Sequence, residues 1–240
     1  MKFKNTKVFN FEGAIRGMRN PMNSWHLSDT YCGYEYNDGE NIQCRIPDGQ
    51  DYAIVNVDND IMEFVSIGPK DMDLAHRLIR GGSEHRKFMR QITVCVDITA
   101  PLYWWKEFDT YKVGTTANST STMHKITSKP ITLDCFETDD YINVNFEYDE
   151  VHTFIDYLEK LRQVYLDTKD KAYWKELIRW LPESWLQTRT ITMNYENLYS
   201  MVRQRANHKL TEWHSFNDWV RSLPYAKELI FCESPSEDDE

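Results

Sequence analysis

One segment in the middle of the chain limits the folds that this sequence can adopt. Residues Ile92–Ile98 predict a strand with β-branched side chains on both faces. Such a strand has to be covered on both sides, so we expect it in the interior of a sheet. Ala100-Pro101 then turns the chain into a predicted aromatic helix, Leu102–Phe108. A polar loop over 111–130 follows, and loops of that length are more often functional than incidental.

Strands interrupted by helices precede a C-terminal third that is helical. The opening residues 2–11 predict a strand, and Pro47-Asp48-Gly49 predicts a turn between strands over 42–46 and 52–57. The other predicted elements are a β segment over 136–146 and helices over 12–18, 69–80, 149–167, 170–181, 185–206 and 213–222. This order is typical of the α+β class and differs from a regular βαβ alternation.

Length and charge narrow the class of protein. The 240 residues can bury a sizeable core, and we expect a single domain over 1–232 with a disordered acidic tail over 233–240. The formal net charge of −10 argues against a sequence-independent DNA or RNA binder. A pocket for a small anion remains compatible with this charge, because it needs only a few local cations.

The cysteines and the apolar stretches indicate the compartment. The five cysteines show no CxxC spacing, which argues against a zinc site or a disulfide framework and favours the cytoplasm. No apolar stretch approaches the ~20 residues of a membrane span, and no apolar run follows Met1–Lys4. We therefore expect neither a signal peptide nor a membrane partner.

The segment Tyr111–His124 carries the densest set of hydrogen-bonding side chains. Its 14 residues include six Ser or Thr hydroxyls, one amide and one lysine. Hydroxyls, amides and backbone N–H groups donate to anionic and carbonyl oxygens, so this composition suits phosphate and pyrimidine binding. The same composition is typical of a solvated loop, and the residues alone leave both interpretations open.

This segment resembles the signature of flavin-dependent thymidylate synthases. That signature has the form RHRxxSxNExSxRY and follows a strand, an Ala-Pro and an aromatic helix, as the segment does here. With Asn118 on the Asn of the signature, Thr116 falls on its first Ser and Ser121 on its second.

A second stretch resembles the same family without a gap. It begins with Leu181-Pro182, carries Thr192-x-Asn194 and ends in Arg205. Upstream, the sequence AIRGMRN resembles an Arg-bearing N-terminal helix through Arg16 and Arg19, and Gly82-x-Glu84-His85 resembles a Gly-His-Glu segment before the central strand. The motifs keep the order of the family along most of the chain.

The resemblance implies a central, mostly antiparallel sheet flanked by helices, and a homotetramer whose subunits share each site. In the family, FAD transfers a hydride to a methylene group from folate, which becomes the methyl of thymidylate. The resemblance thus implies a pyrimidine deoxynucleotide such as dUMP as substrate, FAD as cofactor, and NADPH and methylene-tetrahydrofolate as co-substrates. It assigns no catalytic residue. The implied nucleotide-binding residues are Asn118, Ser119, Ser121, Arg179 and Arg205, and the implied cofactor-binding residues are Lys112, Thr116, His85 and Asn194.

Several departures from the signature fall on charged positions. Tyr111–Val113 stands where the family has Arg-His-Arg, Ser119 replaces a Glu, and Met123 replaces an Arg that holds dUMP. Each lost charge-assisted hydrogen bond costs roughly 1.5–3 kcal/mol, which weakens flavin binding unless other groups substitute. An alternative function is therefore a non-catalytic protein of the same fold that binds or sequesters a nucleotide.

Other candidate residues have structural interpretations beside the functional ones. His85 or the Trp104-Trp105 pair can stack on an isoalloxazine, but core packing also explains the tryptophans. His208 and His214 lack HExxH spacing, so we expect no metal. Cys95 lies within a strand and is expected to be a buried small residue rather than a nucleophile.

Overall fold

The computed structural model of the chain describes residues 1–36, 50–58, 61–139 and 150–233. The predicted strand over 42–46 and its turn, most of the β segment over 136–146, and the tail beyond Glu233 lie outside these residues. The strands are β1 Lys2–Phe9, β2 Tyr31–Tyr36, β3 Ala53–Asp58, β4 Ile61–Ser66, β5 Thr93–Pro101, β6 Thr116–Ser119 and β7 Leu186–Asn194. The helices are α1 Phe11–Arg19, α2 Pro69–Arg80, α3 Leu102–Phe108, α4 Thr122–Lys125, α5 Glu150–Thr168, α6 Lys171–Arg179, α7 Tyr195–Gln204 and α8 Thr211–Arg221.

Strand β5 is an interior strand, as its sequence predicts. The four-stranded sheet has the order β1-β5-β7-β6, so β5 has a neighbour on each edge. Val94, Val96 and Ile98 are fully buried on one face of β5. A second sheet, β2-β4-β3, is antiparallel throughout. Together with the helices, these sheets confirm the predicted α+β class with antiparallel sheets flanked by helices.

Residues 185–206 form a strand followed by a helix, and the prediction of one helix over this range is wrong. Strand β7 ends at Asn194 and α7 begins at Tyr195. The strand sequence LQTRTITMN is rich in β-branched residues, and along it the buried Ile191 and Met193 alternate with exposed threonines. This alternation is the period of a strand. The other predicted helices are confirmed, with small shifts at their ends.

The polar segment 111–130 contains regular structure, against the expectation of a loop. Strand β6 occupies Thr116–Ser119 and α4 occupies Thr122–Lys125. β6 is an edge strand next to β7, and just beyond it the Thr120 amide donates to the Thr188 carbonyl at 2.9 Å. Pairing with β7 supplies backbone hydrogen bonds that the local composition does not predict.

The chain divides into two compact units, each built from several segments. Unit 1 comprises Met1–Lys2, Asp97–Tyr111 and the described residues of Ala117–Thr190. Unit 2 comprises Lys112–Thr116 and the described residues of 3–96 and 191–240. An apolar cluster in unit 1 consists of Ile126, Ile131, Phe136, Ile155, Leu158, Leu161 and Leu177. The largest fully buried side chains of the C-terminal part of unit 2 are Tyr195, Trp213 and Phe216.

A charged pair lies beside the apolar cluster of unit 1. The Glu159 carboxylate accepts a hydrogen bond from Arg162 Nη2 at 2.6 Å and another from the Ile131 amide at 2.7 Å. The hydrogen bond from Arg162 is the main reason that the pKa of Glu159 falls to about 2. Glu159 therefore stays ionised and fixes the chain before Ile131 to α5.

A buried charge network joins α1 and α2 within unit 2. Asp71 is fully buried, and its Oδ1 accepts from Arg19 Nε at 2.5 Å. Its Oδ2 accepts from Ser28 Oγ at 2.6 Å and from Thr30 Oγ1 at 2.7 Å. Burial by itself raises the pKa of Asp71, but these hydrogen bonds outweigh burial and lower it below its ordinary value. The carboxylate therefore remains charged and balances the buried Arg19.

Asp71→Asn is expected to destabilise the protein by about 3–5 kcal/mol, because it leaves the Arg19 charge buried without its partner. Asp73→Asn is the matched control on the same helix. Asp73 is 64% exposed and pairs with Arg77 at the surface, so its loss should change stability by less than about 1 kcal/mol. Urea unfolding measures both variants.

The effect should also depend on pH. Because folding lowers the pKa of Asp71, its stabilising contribution is present above the ordinary value of 3.8 and is lost as the pH falls through the folded-state value. Equal losses for the two variants at neutral pH would show that Asp71 does not carry this network.

Candidate functional site

The polar residues of β6 are exposed. Thr116, Asn118 and Ser119 all lie on the surface, and their side chains form no hydrogen bonds with other residues in the described part of the chain. Their hydroxyl and amide groups are therefore available to a ligand. This strand carries two of the predicted nucleotide-binding residues, Asn118 and Ser119, and one predicted cofactor-binding residue, Thr116.

The turn after β6 is fixed by hydrogen bonds within unit 1. Ser121 caps α4, because its Oγ accepts from the His124 amide at 3.2 Å. Gln187 Nε2, on β7, donates to the Thr120 carbonyl at 3.0 Å. Ser121 is thus a structural cap whose hydroxyl proton can still be donated to a ligand.

Two arginines of unit 1 differ in how firmly they are held. Arg179, a predicted nucleotide-binding residue, is 55% exposed and forms an ion pair with Glu176 on its own helix. Arg189, on β7, lies with its guanidinium 4.3 Å from the centre of the Trp105 ring and bonds Asp109 Oδ1 at 2.7 Å. The sequence interpretation missed Arg189 because it assigned β7 to a helix. The period-two alternation of the strand is the signal that would have revealed it.

In unit 2, Asn194 belongs to a helix cap that also holds the chain before β6. The Asn194 side chain accepts from the Asn197 amide at 3.0 Å, and Asn197 Oδ1 accepts from the Asn194 amide at 3.1 Å. Asn197 Nδ2 donates to the Val113 carbonyl at 2.8 Å. Asn194, a predicted cofactor-binding residue, therefore lies next to the segment that carries Lys112. Asn197 was not predicted, although two asparagines spaced three apart at a helix start resemble a capping box.

Lys112 and His85 are exposed side chains of unit 2. Neither forms a side-chain hydrogen bond or an ion pair within the described residues. The residue after His85 is more constrained, since Arg86 Nε lies 2.9 Å from both carboxylate oxygens of Glu196. Lys112 and His85 can thus contact a ligand, but nothing within the chain orients them.

Arg205 lies at the C-terminal end of α7, where its guanidinium is 4.8 Å from the centre of the Trp213 ring. A cation over an aromatic face is attracted by the electron density of the ring. Trp213 is fully buried, so it provides a fixed support for the charge. Arg205 is therefore better oriented than Arg179.

The Trp104-Trp105 pair packs in the core of unit 1. Both side chains are fully buried, and the two ring centres lie 4.9 Å apart. The Trp105 Nε1 donates to the Gln187 carbonyl at 3.0 Å. The hypothesis that these tryptophans stack on a flavin is wrong, and core packing is their role.

Cys95, which the sequence predicts to be buried, is half-buried in the structure.

The residues at 111–113 do not fit the way in which the family holds the flavin diphosphate. Arginine forks bind phosphate oxygens in pairs, whereas lysine acts as a single point charge. Lys112 is the one cation among Tyr111, Lys112 and Val113.

The described residues contain no group of three side chains able to hold a metal ion. None of the described helices is both long enough and apolar enough to cross a bilayer.

Comparison with known proteins identifies the fold. The sequence matches no protein-family model and no curated protein sequence. The flavin-dependent thymidylate synthase ThyX from Helicobacter pylori, complexed with FAD and dUMP, aligns with 96% of this chain and 98% of its own, with a TM-score of 0.61. This chain has the thymidylate synthase X fold. A second Helicobacter pylori ThyX structure with FAD and dUMP covers 96% of this chain and 97% of its own, with a TM-score of 0.60.

The ThyX fold confirms the resemblance that the ordered motifs predict. Sequence identity to both Helicobacter pylori structures is 17%. At this identity the likeness extends to the fold alone, so the chemistry has to be argued from the residues of this chain. The two longest segments that carry the resemblance are β6 with its following turn, and β7 with α7.

Gly114→Ala is expected to cost more stability than Gly82→Ala, although both glycines have positive φ, 78° and 101°. A Cβ at position 114 would lie 2.9 Å from Asn197 Oδ1, whereas a Cβ at position 82 meets nothing within 4 Å. Left-handed backbone strain costs either variant about 1–2 kcal/mol. Displacement of Asn197 adds to this cost only in Gly114→Ala. Thermal unfolding compares the two, and equal losses would mean that Asn197 does not hold this segment.

Proposed function

We propose that this chain binds a pyrimidine nucleotide at β6 and the turn that follows it. The observation that carries the proposal is the fold, which aligns over 96% of the chain with a thymidylate synthase holding FAD and dUMP. A local observation adds support, because Asn118 and Ser119 present exposed amide and hydroxyl groups without partners in the described residues. Such groups match the carbonyl and imide edge of a pyrimidine.

The predicted nucleotide-binding residues divide between base and phosphate in this proposal. The Asn118 side chain offers the base an NH2 donor and a carbonyl acceptor, and Ser119 and Ser121 offer hydroxyl donors. Arg179 and Arg205 provide positive charge for the phosphate. The Trp213 ring orients the Arg205 guanidinium, and Arg179 forms an ion pair with Glu176 on its own helix.

The assembly that goes with this proposal is a homotetramer in the cytoplasm. In the family that the sequence resembles, the arginine at the position of Arg205 reaches the nucleotide of another subunit. The single-domain organisation over 1–232 is part of the same proposal. Analytical ultracentrifugation tests the assembly, because a chain that stays monomeric cannot supply Arg205 in this way.

A second candidate is the enzyme itself, a flavin-dependent thymidylate synthase-like methyltransferase that converts dUMP by reductive methylation. FAD supplies hydride transfer in this chemistry, with NADPH and methylene-tetrahydrofolate as co-substrates. The fold favours this candidate. The single cation in Tyr111–Val113 favours the non-catalytic nucleotide-binding protein instead.

Asn118→Ala is expected to weaken dUMP binding by roughly threefold to tenfold, the effect of losing about one neutral hydrogen bond. Gln163→Ala is the matched control, because it removes an exposed amide on α5 whose one hydrogen bond to a described residue is to Glu159 on the same helix. Calorimetric titration with dUMP measures both variants against the wild type. Undetectable binding of dUMP and other pyrimidine nucleotides by the wild type would refute the proposal.

Protein incubated with excess FAD and then desalted is expected to retain no flavin absorbance. The reason is the mismatch between the single cation Lys112 and the diphosphate of FAD. The dUMP titration of the same preparation provides the control for folding. Retained flavin together with dUMP-dependent oxidation of NADPH would contradict this expectation and establish the enzymatic candidate.

A further inference from the structure

A cavity lies within unit 2, and none of the residues assigned to the nucleotide lines it. It has a volume of about 330 Å³, which is within the range of small-ligand sites. Helix α1, the short turn Trp25–Leu27 and the chain entering β2 form its walls. The residues that matter for its chemistry are Glu12, Ile15, Arg16, Arg19 and Trp25.

Arg19 is a buried guanidinium that lines this cavity with a spare donor group. The side chain is 5% exposed, its Nε is bound to Asp71 at 2.5 Å, and its Nη1 lies 3.5 Å from the Ser24 carbonyl. Its Nη2 forms no hydrogen bond with any residue that the structure describes. Asp71 holds the guanidinium in place, so the spare donor is already oriented when a ligand arrives.

Arg16 adds a second guanidinium to the same cavity. It lies three residues before Arg19 on α1, and residues at this spacing share a helix face. Arg16 is exposed and forms no ion pair within the described residues, and Glu12 one turn earlier is not within ion-pair distance of it. Two arginines on one wall, one of them unpaired, favour an oxyanion.

Two side chains of the lining, Trp25 and Ile15, indicate what the oxyanion is attached to, although several polar side chains line the cavity as well. Trp25 is 48% exposed, and its Nε1 donates to Asn20 Oδ1 at 2.8 Å, which fixes the ring. Ile15 is buried and apolar. An aromatic ring packs well against such side chains. Glu12 would repel a second negative charge, so the ligand should carry its charge at one end only.

We propose that this cavity binds a small aromatic oxyanion, with Arg16 and Arg19 on the oxyanion and Trp25 beside the ring. A phosphate monoester and a carboxylate share this chemistry. Inorganic phosphate, phenyl phosphate and benzoate distinguish the two oxyanions and the contribution of the ring. This inference does not depend on nucleotide binding at β6.

The test is calorimetric titration of the full chain with each of these three probes. Arg16→Gln is expected to lower the affinity for the probe by about tenfold to a hundredfold, the effect of losing one or two charge-assisted hydrogen bonds. Arg80→Gln is the matched control, since Arg80 is exposed on α2 and does not line the cavity. Trp25→Ala should weaken phenyl phosphate or benzoate and leave inorganic phosphate unchanged.

Two results would overturn the proposal. One is that no probe binds the wild type at about 10 mM, a concentration that reveals even millimolar affinity. The other is that Arg16→Gln binds as the wild type does. Because Arg16 is exposed and unpaired within the described residues, its variant should keep the wild-type unfolding temperature, which separates lost binding from misfolding. Asn118→Ala should bind the probes normally, so failure at β6 and failure here are distinguishable.

Discussion

The pairing of strand β7 with both of its neighbours is the interaction on which the candidate site depends. Thr188 connects to each side, since its hydroxyl lies 2.7 Å from Thr99 Oγ1 and its carbonyl accepts from the Thr120 amide at 2.9 Å. β6 is short and wholly exposed, so it has no core of its own to order it. The same β7 ends at Asn194, which begins α7. β7 therefore pairs with one of the segments that resemble the ThyX family and leads directly into another.

The sequence predicts those elements whose own side chains show which face is buried. In β5 and α3 the apolar residues report burial directly, and both elements lie where the pattern indicates. β6 gives no such signal, because β6 forms by pairing with β7, a strand that is distant in the sequence. The sequence of 185–206 predicts a single helix, because the residues of α7 follow those of β7 without a breaking residue. Pairing with distant strands determines that both β6 and β7 are extended, and the residues within each segment do not show which strand will pair with it.

The candidate site residues illustrate a similar division. The sequence identified polar residues that prove to be exposed, such as Asn118 and Lys112. It did not identify Asn197 or Arg189, which act through other residues of the chain and are signalled only by the spacing of a helix cap and the alternation of a strand. Arg189 and Arg86 are committed to protein partners, Asp109 and Glu196. The positively charged side chains of this chain thus lie at other positions than those of the family signature. Their hydrogen bonds and ion pairs within the chain determine which of them can bind a ligand.

The contact between Gly114 and Asn197 has a consequence for how the sequence can change over evolution. A Cβ at position 114 would occupy space that the Asn197 amide now fills, and that amide also bonds the Val113 carbonyl. Positions 114 and 197 therefore cannot vary independently. A homologue that acquires a side chain at the first position must carry a smaller residue at the second, and it must then hold the approach to β6 by a different hydrogen bond. Substitutions at these two positions should therefore occur together, although the positions are far apart in the sequence.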